Sequence, residues 1–194
     1  MSKSVAHPAL SSNLHVVGID SALLRIGLGR HYERTLHGCF FDTDTKGGER
    51  LVQIYNSISS WLRARRPRPT LAVIEGYSYD SEGKVFQLGE AGGVIRLALT
   101  QFRLPYLEVP PASLKLFVAG DGEASKKHMM DAVAEFYGIE TDDDNVADAI
   151  GLTMWGVVKL TGKSYRRCEL QAIKNLSIPK RRRRAIRPGK ETTM

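Results

Sequence analysis

Apolar positions along the chain recur with two periods. Val16-Val17-Gly18-Ile19 and Leu71-Ala72-Val73-Ile74 are short runs with the β-branched content of buried strands. Each run closes on a carboxylate, Asp20 and Glu75. The first run opens a three-strand meander, with strands expected at 14–20, from 25 to 28 and beyond, and near 35–42. Residues 43–48 read as a turn rich in threonine, aspartate and glycine. Over 49–65, Leu51, Ile54, Tyr55, Ile58, Trp61 and Leu62 recur at three- and four-residue steps, which predicts an amphipathic helix ended by Pro67 and Pro69. A fourth strand follows at 71–75, then a glycine- and tyrosine-rich loop at 76–85. The next helix, 86–103, carries Gly89, Ala91, Gly92 and Gly93 in its middle. Glycine inside a helix costs up to about 1 kcal/mol, so three of them imply close approach of another backbone. A fifth strand at 106–109 stops at Pro110-Pro111, and a short helix is expected at 112–119. Ser125 caps a helix at 126–137, and the last long helix is expected at 144–160.

The order β-β-β-α-β-α-β-α-α fits an α/β fold. Three antiparallel strands are followed by parallel crossovers in one mixed sheet, with helices on both faces. Residues 1–13 read as a flexible leader, 14–160 as the folded domain and 161–194 as a basic, partly disordered extension of weak periodicity. Sites in such sheets form at the carboxyl ends of central parallel strands, where Asp20 and Glu75 fall.

Charge sharpens the picture. The 194-residue chain carries a formal net charge of +7. The excess gathers in Lys180-Arg181-Arg182-Arg183-Arg184, with a second cluster in Arg63-Ala64-Arg65-Arg66-Pro67-Arg68. A basic protein with acidic strand ends suits a polyanionic substrate. No apolar run reaches the roughly 18 residues of a membrane span, and the first residues lack the apolar stretch of a signal peptide. The expected location is therefore cytoplasmic. Cys39 and Cys168 are too few and too distant for a disulfide framework or a zinc site.

Asp144 and Asp148 stand four apart and so share one face of the last helix. Carboxylates from two strand ends and one helix converge only if positive charge holds them. Hard divalent cations do this, and two of them make a phosphodiester-cleaving centre. Ordinary roles compete at several positions. Asp142 and Asp143 suit a helix N-cap, His31, His37 and His128 suit packing or surface, and Trp61 and Trp155 suit the core.

Four stretches together resemble the RuvC-type Holliday-junction resolvases of the RNase H-like superfamily, and look closest to phage and prophage members. They are Val17-Gly18-Ile19-Asp20, then Ile74-Glu75-Gly76-Tyr77-Ser78-Tyr79 with the glycine-bearing helix. Pro110-Pro111-Ala112-Ser113-Leu114-Lys115 with Ser125-Lys126-Lys127 comes next, and Asp144-Asn145-Val146-Ala147-Asp148-Ala149 is the last. The chain departs from cellular members at Asp20-Ser21-Ala22, where Asp-Pro-Gly is usual. It departs again at Asn145, three residues before the last acid, where many carry a carboxylate.

The resemblance implies a five-stranded RNase H-like domain acting as a crossover junction endodeoxyribonuclease. Two Mg2+ ions per site, replaceable by Mn2+, would be held by Asp20, Glu75, Asp148 and Asp144, with Asn145 as the alternative to Asp144. Lys126 would meet the scissile phosphate, and Lys115 and Lys127 would bind neighbouring phosphates. Tyr77 and Tyr79 would stack on unpaired bases, and Arg181, Arg182, Arg183 and Arg184 would bind DNA. The implied partners are branched DNA and a second copy of the chain, meeting through the glycine-bearing helix. The implied setting is a bacterial or phage-infected cell, at the nucleoid. Two other functions remain open: cleavage of other branched DNA or RNA–DNA hybrids, and a catalytically weak nucleic-acid-binding scaffold.

Overall fold

Side-chain alternation builds a sheet with two different faces. In the computed structural model, which describes residues 7, 9, 13–22, 24–76 and 85–177, β1 (Val16–Ser21), β2 (Arg25–Tyr32) and β3 (Thr35–Asp42) form an antiparallel meander. Two further strands, β4 (Leu71–Glu75) and β5 (Tyr106–Val109), join β1 in parallel, giving the order β3-β2-β1-β4-β5. Val17, Ile19, Ile26, Leu28, Ala72 and Ile74 point to one face. There they pack under α1 (Gly47–Arg63) and α2 (Val85–Gln101). Val16, Leu36, Leu71, Val73 and Val109 point to the other. That face is covered by α3 (Pro111–Ala119), α4 (Lys126–Tyr137), α5 (Asp144–Thr161) and α6 (Arg167–Ser177).

The expected strands at 71–75 and 106–109 and the helix at 126–137 are found at those bounds. The helix expected at 86–103 ends earlier, because Arg103 takes a positive φ of 48° and turns the chain toward β5. One element had no counterpart in the periodicity, α6. Its buried side is small and partly polar: Ala172 and the carboxylate of Glu169 are both fully buried. Burial alone would raise the Glu169 pKa. Hydrogen bonds from His7, Ser164 and Tyr137 outweigh it, and the net shift is downward. His7 lies in the stretch expected to be a loose leader, yet it is buried, 3.0 Å from Glu169, and Ala9 beside it is fully covered. Trp155 is core, as expected, whereas Trp61 is only partly covered. Among the described residues no helix is long and apolar enough to cross a membrane.

Candidate metal centre

Strand register brings the first two acids together. In the parallel β1–β4 ladder Gly18 pairs with Val73 and Ile19 with Ile74, so the next step sets Asp20 beside Glu75. Asp20 follows Val16 and Gly18 on one face, and Glu75 follows Leu71 and Val73 on the same face. Period-two alternation thus aims both carboxylates toward the side covered by α5.

Glycines in the strands let α5 descend onto that side. A Cβ added at Gly18 or Gly29 would fall inside the van der Waals envelope of the Ala149 carbonyl and the Thr153 hydroxyl. At Gly27 it would strike the Asn145 carbonyl. The helix backbone therefore rests on the backbone of β1 and β2 with no side chain between. The start of α5 is pinned by Asp143, whose carboxylate accepts from the backbone N–H of Asn145 and of Val146 and pairs with Arg25 on β2. Asp143 is a cap, as one of its two sequence readings had it. Asp148 is then carried down to the strand ends. One carboxylate oxygen each of Asp20, Glu75 and Asp148 lies within 4.8 Å of the others.

The electrostatics show what this cluster lacks. Asp20 is 3% exposed, and its pKa is pushed well above the usual carboxylate range by burial and by the charges of Glu75 and Asp148. Burial raises Glu75 too, against a hydrogen bond from Asp20 and the pull of Lys115. Asp148 is pushed up to about 7 by burial, Glu75 and Asp144, although Lys115 and Lys126 pull it down. Three carboxylates, one buried and two half-buried, that resist ionising together suit a site for cations. Their donor set is oxygen only, which fits a hard divalent ion and not a soft one.

Asp144 stands just outside this cluster. It stacks one helical turn before Asp148, raises the pKa of both Asp20 and Asp148, and is ion-paired with Lys126. Lys126 opens α4, behind the Ser125 cap that accepts from the His128 N–H, and its pKa is raised chiefly by the hydrogen bond to Asp144. Asn145 instead lies over Gly27, the residue opposite Asp20 in the β1–β2 ladder. Lys115, on α3, faces the site closely enough to lower the pKa of Glu75 and Asp148. Lys127 points along its own helix, 2.6 Å from Asp131. Tyr77, Tyr79 and Arg181 to Arg184 lie outside the described residues. Buried His31 bonds to the Leu14 carbonyl and is not part of the acid cluster.

Two supports were missed from sequence: the strand glycines and Arg25. The signal for the first was present, since Gly27 and Gly29 alternate on one strand and Gly18 sits on the next.

Comparison with known proteins agrees with this geometry. A family model described as "Crossover junction endodeoxyribonuclease RuvC" matches residues 16–155. A protein of that name from Prochlorococcus marinus (strain MIT 9313) is 30% identical over 152 residues, covering 74% of this chain and 97% of its own. Another from Synechococcus sp. (strain CC9605) is 31% identical over 153 residues, covering 73% and 98%. Among solved structures, Thermus thermophilus RuvC superposes with a TM-score of 0.62 at 23% identity, covering 78% of this chain and 98% of that one. The Thermus thermophilus RuvC complex with Holliday junction substrate gives 0.63 at 20% identity. At these identities the solved structures bear on the fold alone, which is RNase H-like.

Proposed function

The chain belongs to the RuvC family of crossover junction endodeoxyribonucleases, and on that premise we propose that it resolves four-way DNA junctions by paired, metal-dependent nicks. The observation that carries the reading is the convergence of Asp20, Glu75 and Asp148 at one end of the sheet. These three would hold a pair of Mg2+ ions, or Mn2+ in their place, with Asp144 as the fourth carboxylate. Such ions supply a hydroxide nucleophile near neutral pH and stabilise the leaving oxygen.

The remaining work falls to the chain's own residues. Lys126 is held by Asp144 at the rim, where a substrate phosphate can exchange for the carboxylate partner and take its N–H donors. Charge building on the phosphoryl oxygens is then offset by a fixed cation. Lys115 offers a second cation from the opposite helix. Burial of Asp20 lowers the local dielectric around that carboxylate, which strengthens its own contact with a bound cation.

Paired nicks call for two copies. A surface suited to this runs along α2, where Phe86 is 89% exposed, Leu97 is 51% exposed and Gly93 meets open space. Positions 86, 93 and 97 fall on one helical stripe, and a two-fold axis would set it against itself.

The test is incubation of the purified protein with a synthetic four-way junction, with Mg2+ and with chelator. Symmetric nicks that need the metal support the reading. Equal or faster cutting of an RNA–DNA hybrid would move the substrate elsewhere.

A further inference from the structure

The end of the sheet away from the carboxylates has the opposite character. Arg66 and Arg68 lie in the connection before β4, Arg103 precedes β5, and Arg63 and Arg65 sit at the close of α1. Arg30, on β2, pairs with Val17 near the start of β1. From Leu71 to Glu75 the strand rises about 13 Å, so this basic end and the acid cluster occupy opposite poles.

None of these six arginines has a carboxylate within 4.0 Å among the described residues; elsewhere Arg25, Arg96 and Arg166 are each paired with one. Three of them lie over aromatic faces instead, Arg63 over Phe102, Arg65 over Trp61 and Arg30 over Tyr32, while Arg30 Nε donates to His15 and Arg66 donates to the Arg63 and Arg65 carbonyls. Stacking fixes a guanidinium while leaving its in-plane donors free. The cluster lines two concavities. One, of about 250 Å³, is bounded by Arg30, His37, Cys39, Trp61 and Arg65. The other, of about 450 Å³, is bounded by Arg63, Arg66, Arg68 and Arg103 with Phe102. In the first, buried Arg65 Nε has no hydrogen-bond partner among the described residues. Burial and the neighbouring Arg30 charge both lower the Arg65 pKa. Like charges gathered without acids, with an unused buried donor among them, suit an anion.

We propose that this basic pole is a second DNA-binding surface, which takes backbone phosphates of a duplex segment other than the one being cut. An extended row of guanidiniums over two hollows matches a run of phosphates better than it matches one free anion. The surface is separate from the cleavage centre, so the proposal stands or falls without the nuclease reading.

Cys39 supplies a reporter, because its exposed thiol lies in the wall of the smaller hollow. In the full chain carrying Cys168→Ser, alkylation of Cys39 by iodoacetamide is followed in chelator. Duplex DNA at about ten times its Kd should slow the reaction by about 10-fold, and high salt should restore it. Unchanged alkylation under saturating DNA overturns the proposal. Protection by inorganic phosphate but not by DNA also overturns it.

A second measurement uses exposed side chains whose replacement leaves the core intact. Arg63→Gln, Arg66→Gln and Arg68→Gln together should flatten the log–log salt dependence of DNA binding by about 2–3, at about 0.9 per lost phosphate contact. The control neutralises Lys163, Arg167 and Lys174, three exposed cations toward the other side of the molecule. An equal flattening in the control would show general charge, not this surface, and would refute the proposal.

Discussion

At the scale of single residues, the site is defined by charge that the protein cannot neutralise itself. Asp20 lies at the carboxyl end of β1 and asparagine keeps its shape, so Asp20→Asn should leave folding intact while cutting the cleavage rate by at least about 10²-fold, on the order of 3 kcal/mol of barrier. Wild-type cleavage by this variant on a synthetic junction would remove the metal-site reading. Asp144 and Asn145 separate by the same logic. Asp144 lies one turn before Asp148 and its charge raises the pKa of Asp20 and Asp148, whereas Asn145 sets its backbone carbonyl over Gly27. Asp144→Asn should raise the Mg2+ concentration needed for half-maximal cleavage, and Asn145→Ala should do much less. A metal titration of both variants decides it. Asp148 also predicts a pH effect. Its folded pKa of about 7 exceeds its ordinary value of 3.8, so the folded state holds the proton more tightly. The associated stability is fully present below about pH 4 and is lost as pH rises through 7. In chelator the melting temperature should therefore fall between about pH 4 and 7, more steeply in the wild type than in Asp148→Asn. Parallel melting curves for the two proteins would contradict the assignment.

At the scale of elements, position follows from what is missing as much as from what is present. Gly27→Ala would push α5 off β2 at Asn145 and tilt the helix that carries Asp148. Overpacking of this kind costs about 1–3 kcal/mol. Cleavage at fixed Mg2+ should drop further than that destabilisation alone explains, because the carboxylates separate; unfolding by denaturant alongside a metal titration checks this. Strands and helices with a strong period were legible in the sequence because a local pattern specifies them, as at 71–75 and 126–137. The convergence of acids on strand ends was legible too, since a buried run rarely closes on a lone charge. The strand glycines were not read, because their reason lies in a helix more than a hundred residues away. Helix α6 escaped for a related cause: its buried side rests on Ala172 and on Glu169, whose partners His7 and Tyr137 are remote in sequence. A buried carboxylate looks like a surface residue until its partners are known.

At the scale of the whole molecule, positive charge is spread along the chain in several clusters, the densest of them Lys180 to Arg184. Removal of residues 180–194 takes away Lys180 to Arg184 but none of the described core. It should weaken DNA binding and lower its salt slope by about 0.9 per lost contact while leaving metal-dependent cutting in place. An unchanged slope would show that the arginine run takes no part. The centre itself joins the two ends of the domain, Asp20 from the first strand and Asp148 from the fifth helix. That architecture sets a schedule for biosynthesis. A ribosome adding about 5–20 residues per second needs roughly 6–26 s to travel from one acid to the other. Through that interval the nascent chain holds first Asp20 alone and then Asp20 with Glu75, at the ends of two central strands that α5 does not yet cover. A DNA-cutting centre is thus withheld until α5 has been made and has settled on the glycines beneath it, and a prematurely ended chain is born harmless to the genome around it.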